Sequence, residues 1–345
     1  MENKVAFFDT KPYDKEWFNK LPHQGIKFKF FENKLNSETA SLATDCKGVV
    51  AFVNDTIDKE TINTLYDLGV KTIAMRCAGY NNIDFRTAYK KITVTRVPGY
   101  SPNAVAEYTM ALLLTLNRKI HKAYNRTRDY NFSLVRLTGF DLKGKTIGVV
   151  GTGKIGRDFI DICKGFKMNV LAYDPYPIEN SGINYTDLNT IFKESHIISF
   201  HCPLTKESHH MVNEKTIEKM RDGVIILNTS RGAIIESQAL LKGLKEKKIG
   251  GAGLDVYEEE SSLFFEDFSG EIINDDILAL LVSMPNVIVT SHQAFLTNEA
   301  LQNIAQTTIE NLQASFENKP LKNEICYHCE TGTVTTDCGN KGNCN

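Results

Sequence analysis

Short runs of β-branched and aromatic residues alternate with polar, helix-compatible stretches through the first hundred residues. Val5–Asp9, Phe28–Phe31, Val49–Val53, Thr72–Met75 and Ile92–Arg96 read as strands, with Lys59–Leu68 among the helical spacers. Strands that alternate with helices imply a parallel sheet covered on both faces. Val97-Pro-Gly-Tyr-Ser-Pro-Asn then breaks the pattern with turn-forming residues. Asn103 is placed to cap a long helix whose periodic positions are Val105, Tyr108, Ala111, Leu112 and Thr115. A basic, polar stretch, Asn117–Asn131, follows and runs out near Gly139.

A second series begins at Lys145. Thr146–Val150, Val170–Tyr173, Ile197–Phe200, Val224–Asn228, Gly251–Asp255 and Val287–Thr290 read as strands. Lys154–Gly165, Glu214–Met220 and Glu236–Glu246 read as the helices between them, and an amphipathic helix runs from about Asn298 to Asn318. Two α/β series in 345 residues exceed what one hydrophobic core usually spans, so two domains are expected. The expected class is α/β, with two doubly wound parallel-sheet domains.

Composition narrows the partners. With 24% charged residues and a net charge of -2, nothing favours nucleic acid or an anionic membrane. The longest apolar runs, Met110–Leu116 and Ile277–Val282, fall short of the ~20 residues of a membrane span and read as buried helix segments. The first residues lack the basic-then-apolar pattern of a secretory signal. Cys46, Cys77, Cys163 and Cys202 sit singly in apolar or strand-like surroundings, as unpaired cytosolic thiols do. A cytoplasmic protein that acts on a small molecule is the expectation.

The first chemistry lies in Ile147-Gly-Val-Val-Gly-Thr-Gly-Lys-Ile-Gly. A strand runs into Gly151-x-Gly153-x-x-Gly156 and a helix opens there. The first glycine permits the tight turn, the second lets a pyrophosphate approach the backbone, and the third lets helix pack on strand. The helix start then offers free N–H groups to the phosphates. Asp174 closes the next strand, where a carboxylate can accept from both adenosine ribose hydroxyls and would repel a 2′-phosphate. This is a Rossmann-type unit, and NAD rather than NADP is its expected cofactor.

Three more segments end strands of the same series: Asn228-Thr-Ser-Arg231-Gly, Asp255-Val-Tyr-Glu-Glu-Glu260 and Ser291-His292-Gln-Ala-Phe295. Ligands of open parallel sheets bind beyond the carboxyl ends of the strands, so these segments should share a crevice with the glycine loop. Together they hold what reduction of a 2-oxo acid requires. Arg231 offers a planar, permanently charged fork for the carboxylate and the ketone oxygen. His292 can give the ketone oxygen its proton, and Glu260 beside it would favour the imidazolium.

GTGKIG, NTSRGAII, GLDVYEEE and SHQAF, in this order and spacing, resemble the D-2-hydroxyacid dehydrogenase family from about residue 4 to 325. The resemblance implies an Arg231–Glu260–His292 catalytic trio. It also implies a flavodoxin-like substrate domain of residues 1–99 plus 298–325, an NAD domain of 100–297, and an active site in the cleft between them. Arg76-Cys-Ala-Gly-Tyr-Asn-Asn-Ile-Asp and Pro98-Gly-Tyr-Ser-Pro resemble the D-lactate dehydrogenase branch, as does the segment after Glu260. By that likeness the backbone at Ala78 and Gly79 holds the substrate carboxylate, and Tyr100 and Phe295 narrow the pocket to pyruvate. Lys154, Ile155, Cys202, Pro203, Thr229, Ser230 and Asp255 would touch NAD, as would position 208, where Ser208 replaces the more usual Asn. A homodimer through the NAD domains, or a tetramer, is implied too. A dehydrogenase of longer 2-oxo acids, such as 2-oxoisocaproate, is the alternative, and an NAD-binding corepressor a remote one. Glu260 argues against a formate dehydrogenase, which carries Gln there.

The likeness stops near Ile325. Beyond it lie Cys326, Cys329, Cys338 and Cys344, a tail read as flexible, with no metal expected. The CxxC pair leaves zinc open as an alternative.

Overall fold

Both strand–helix series close into parallel sheets in the computed structural model, which describes residues 2–260 and 263–325. The cysteine tail from Cys326 lies outside the described residues. Two compact units result: the chain to Ser101 together with the stretch from Thr297, and Pro102–Leu296.

The first unit opens with β1 (Asn3–Phe7), α1 (Pro12–Lys20), β2 (Ile26–Phe30), β3 (Gly48–Ala51) and α2 (Lys59–Asp67). It continues through β4 (Thr72–Met75), α3 (Phe85–Ala88) and β5 (Thr93–Thr95). Strand β1 stops two residues short of the expected Asp9 because Asp9 bends the chain at φ +46°. Likewise β3 ends at Ala51, since Phe52 turns to donate its N–H to Asp55 at 2.6 Å.

The second unit begins with α4 (Pro102–Arg118). Its first helical residue is Pro102, whose fixed φ and missing N–H suit a first turn, so Asn103 lies inside that turn and does not cap it. The polar stretch that follows holds an unexpected helix, α5 (Ile120–Arg128), with no buried residue to give a sequence signal. Then come β6 (Thr146–Val150), α6 (Lys154–Gly165), β7 (Asn169–Tyr173), α7 (Leu188–Glu194) and β8 (Ile197–Phe200). After them run α8 (Glu214–Lys219), β9 (Val224–Asn228), α9 (Ser237–Lys245), β10 (Ile249–Leu254), α10 (Asp276–Ser283) and β11 (Val287–Val289). All five residues of β9 are buried, as expected for a sheet covered on both faces. Helix α10 is buried on one side only. Leu278 and Leu281, three apart, face the core, while Leu280 and Val282 are 42% and 61% exposed.

The chain closes on the first unit with α11 (Asn298–Phe316) and β12 (Glu324–Ile325), which pairs antiparallel with β5. The first sheet therefore runs β12-β5-β4-β3-β1-β2. Ala305, Ile309 and Leu312 of α11 pack with Val5, Phe7, Phe18 and Val50 in its core.

Candidate active site

The second sheet has the order β11-β10-β9-β8-β6-β7, every pair parallel. Its strand order reverses at β6, the place where open α/β sheets bind ligands beyond their carboxyl ends. The glycine loop leaves β6 and Asp174 follows β7, while Arg231, Glu260 and His292 follow β9, β10 and β11. At ~4.8 Å per strand, β10 stands roughly 14 Å from β6, a span suited to an extended dinucleotide.

The glycine loop has the contacts its chemistry needs. Gly151 has φ +95°, and a Cβ there would meet the Cys202 nitrogen and the His201 oxygen at 2.7 Å. A Cβ at Gly156 would lie 2.0 Å from the Gly151 oxygen, so helix and loop can touch only with glycine there. At Gly153 nothing lies within 4 Å. That open face, next to the uncapped start of α6, fits a pyrophosphate. Lys154 is exposed and Ile155 half-buried beside it.

Asp174 does more than wait for a ribose. Oδ2 accepts the Thr152 N–H at 2.7 Å and the Thr152 hydroxyl at 3.0 Å, and Oδ1 accepts the Tyr176 N–H at 2.9 Å. These occupy three of about four lone-pair sites, which leaves room for one further donor and not two. The carboxylate thus ties the glycine loop to the end of β7.

On the opposite side of the same edge, His292 Nδ1 lies 2.8 Å from Glu260 Oε1. Glu260 Oε2 accepts the Tyr257 N–H at 2.9 Å, so both carboxylate oxygens are engaged. The ring and the carboxylate are each about one-fifth exposed (21% and 22%). Nε2 of His292 has no hydrogen-bond partner among the described residues. By contrast, burial pushes His201 down to about 3, so that ring stays neutral and supplies no proton near neutral pH.

Two residues organise this corner without having stood out in the sequence as organisers. Asp255, expected as a cofactor contact, has no exposed surface. Its oxygens accept the Thr290 hydroxyl at 2.6 Å and the N–H groups of Gln293 and Ala294 at 3.0 and 2.8 Å. With the His292 N–H on the Asp255 carbonyl at 2.7 Å, these bonds hold His292 at φ +51°. Burial raises the Asp255 carboxyl, and the hydrogen bonds oppose that. Asn228 does the same for arginine: it donates to the Arg231 carbonyl at 2.9 Å and accepts from the Ser230 N–H and hydroxyl at 3.0 and 2.9 Å.

Arg231 is half-buried, and its Nη1 donates to the Ser230 carbonyl at 2.6 Å. The Thr229 hydroxyl pairs with that of Thr109 at 2.8 Å. Cys202 is half-buried, its thiol pushed up to about 11 by burial, and Pro203 is exposed. Ser208 turns inward: its hydroxyl donates to the Pro203 carbonyl at 2.8 Å and accepts the Thr205 N–H at 2.7 Å. Ser208 closes its turn and offers nothing outward. Phe295 is 7% exposed.

In the first unit, the loop after β4 turns its carbonyls inward. The Cys77 carbonyl accepts from the Val97 N–H at 3.0 Å, Ala78 from Arg96 Nη1 at 3.2 Å, and Gly79 from the Cys77 thiol at 3.3 Å. The N–H groups of Ala78 and Gly79 have no acceptor among the described residues. Two such donors side by side suit a carboxylate. Tyr100, half-buried, is tied through its carbonyl to Asn303 at 2.6 Å.

Among the described residues, no group of histidine, cysteine and acidic side chains could hold a metal, and no helix is long and apolar enough to cross a membrane. The chain matches known proteins over nearly its whole length. A family profile, D-isomer specific 2-hydroxyacid dehydrogenase, NAD binding domain, matches residues 110–294. The D-lactate dehydrogenase of Escherichia coli is 49% identical over 93% of this chain and 99% of its own. The pyruvate reductase of Chlamydomonas reinhardtii superposes with TM-score 0.87 at 40% identity, covering 93% of this chain and 98% of that one. D-2-hydroxyisocaproate dehydrogenase superposes with TM-score 0.82 at 28% identity, covering 93% and 99%. The chain therefore belongs to the D-isomer-specific 2-hydroxyacid dehydrogenase family and carries that family's NAD-binding domain.

Proposed function

We propose that this chain is an NAD-dependent D-lactate dehydrogenase that reduces pyruvate. The observation that carries the chemistry is the His292–Glu260 pair at 2.8 Å with His292 Nε2 left unpartnered. Glu260 orients the ring through Nδ1, and Nε2 gives the ketone oxygen its proton. When bound, the reduced nicotinamide supplies the hydride. Arg231 pairs with the carboxylate and draws charge toward the ketone oxygen. By likeness to the family, the N–H groups of Ala78 and Gly79 would also take the carboxylate, and Tyr100 and Phe295 would restrict the side chain. In lactate oxidation His292 takes the proton back.

For the cofactor, Gly153 and the start of α6 would hold the pyrophosphate, with Lys154 and Ile155 beside it. Asp174 would take one ribose hydroxyl directly, and Cys202, Pro203, Thr229 and Ser230 would line the rest. Likeness to the lactate enzyme, at 49% identity against 28% for the isocaproate enzyme, supports the short substrate. Relative kcat/KM for pyruvate and 2-oxoisocaproate tests this choice. A preference for 2-oxoisocaproate would replace lactate with the longer acid and leave the mechanism standing.

A homo-oligomer built through the second unit is part of the same reading. Ile120, Tyr124, Tyr130, Phe132, Leu134 and Val135 are 55–85% exposed along one segment, an apolar surface that association would cover. Cys46, Cys77, Cys163 and Cys202 form no disulfide among the described residues, which suits the reducing cytoplasm.

A further inference from the structure

Beneath the carboxyl ends of β1, β3 and β4, the first unit buries a charged cluster that has no part in the proposed chemistry. Arg76 leaves β4 with its backbone N–H on the Ala51 carbonyl at 2.9 Å. Its side chain, 2% exposed, turns back under the loop that follows β1. There Nη2 donates to the Asp9 carbonyl at 2.8 Å and lies 3.6 Å from Asp9 Oδ2. Nη1 lies 3.4 Å from Asp14 Oδ1, at the start of α1. The guanidinium sits 4.0 Å above the centre of the Phe52 ring, from the loop after β3. Lys11 Nζ closes the group at 2.9 Å from Asp9 Oδ1.

Three strand-end loops thus converge on one buried guanidinium. Such a charge is tolerated only where partners surround it, and a lysine could not reach the Asp9 carbonyl and the Asp14 carboxylate together. The next residues in the chain are Cys77, Ala78 and Gly79, whose carbonyls face inward and whose last two N–H groups face none.

We propose that Arg76, anchored by Asp9 and Asp14, is the positioning residue that fixes the carboxylate-binding loop Cys77–Gly79. This rests on the reading of that loop given above. Arg76 is too enclosed to touch substrate, so it acts by pinning the residue before the loop at both ends. Its backbone is held in the sheet and its side chain under β1. The pinned loop cannot slide along β4, and the Ala78 and Gly79 donors keep one spacing. A misplacement of about 1 Å in such donors weakens substrate capture about tenfold to a hundredfold.

The test uses the full-length chain with Arg76→Lys and Asp14→Asn, and Gly79→Val as a direct perturbation of the loop. KM and kcat for pyruvate, NADH affinity by fluorescence and the melting temperature are measured for each. Both anchor variants should raise KM for pyruvate at least about tenfold, lower kcat less, and leave NADH affinity unchanged. A merely structural ion pair would lower the melting temperature and leave KM as it was. If KM rises in Gly79→Val and not in the anchor variants, Arg76 has no positioning role and the loop reading stands. If KM rises in none of the three, the carboxylate-loop reading falls as well. Should Arg76→Lys fail to fold, Asp14→Asn decides alone, because it keeps its volume and its oxygen acceptor for the Lys11 N–H, at 3.0 Å in the wild type.

Discussion

Glu260 Oε1 stands 2.8 Å from His292 Nδ1, and the Tyr257 N–H on Oε2 keeps that carboxylate from turning away. The pair fixes which ring nitrogen faces outward.

Replacing Glu260 with Gln removes the charge and keeps the shape. The charge-assisted contact to His292 Nδ1 is then lost, so kcat/KM for pyruvate reduction should fall on the order of a hundredfold with NADH affinity unchanged. Steady-state kinetics and NADH binding check this. Full kcat/KM would show that Glu260 is not the partner.

Gly153 and Gly156 should respond in opposite ways to alanine. A Cβ at 153 meets nothing within 4 Å, so Gly153→Ala should fold with near wild-type melting and bind NADH more weakly. A Cβ at 156 would meet the Gly151 oxygen at 2.0 Å, so Gly156→Ala should lose stability. Melting curves with and without NADH separate the two. Equal stability in both variants would contradict the packing described.

Asp255→Asn leaves one of the loop donors facing an amide N–H₂. The left-handed turn at His292, now supported by the Thr290, Gln293 and Ala294 donors, should loosen. A stability loss of about 1–3 kcal/mol and a lower kcat with little change in NADH affinity are expected. Denaturant melts and steady-state kinetics check both. A variant with full kcat would remove Asp255 from the account of how His292 is held.

Much of this site was legible because its chemistry sits in short segments after strands. The glycine loop, Arg231, Glu260 and His292 each follow a strand whose apolar run marks its end. What was hidden depended on contacts distant in sequence. Nothing near Asp255 announces that its carboxylate will organise residues 290–294. In the fold, α5 escaped because it buries no residue, and the end of β1 was misplaced because Asp9 adopts a backbone geometry unusual for aspartate.

Asp55 couples the first unit to pH. Burial raises its carboxyl to about 7, although the Phe52 and Leu35 N–H groups, each at 2.6 Å, favour the anion. An unfolded aspartate titrates near 3.9, so between about pH 4 and 7 the folded chain keeps a proton that the unfolded chain has released. Stability should fall as pH rises through that window and level off above it. Asp55→Asn should melt with a flatter pH dependence, its difference from wild type narrowing as pH rises from 5 to 8. Parallel curves would show that Asp55 does not titrate there.

The central claim is that Arg231, Glu260 and His292 reduce pyruvate with NADH to one enantiomer. Chiral analysis of the lactate formed by the purified chain from pyruvate and NADH tests it most directly. D-lactate alone, with the reaction lost in His292→Ala, is the expected result. L-lactate, or NADH oxidation that persists without His292, would contradict it.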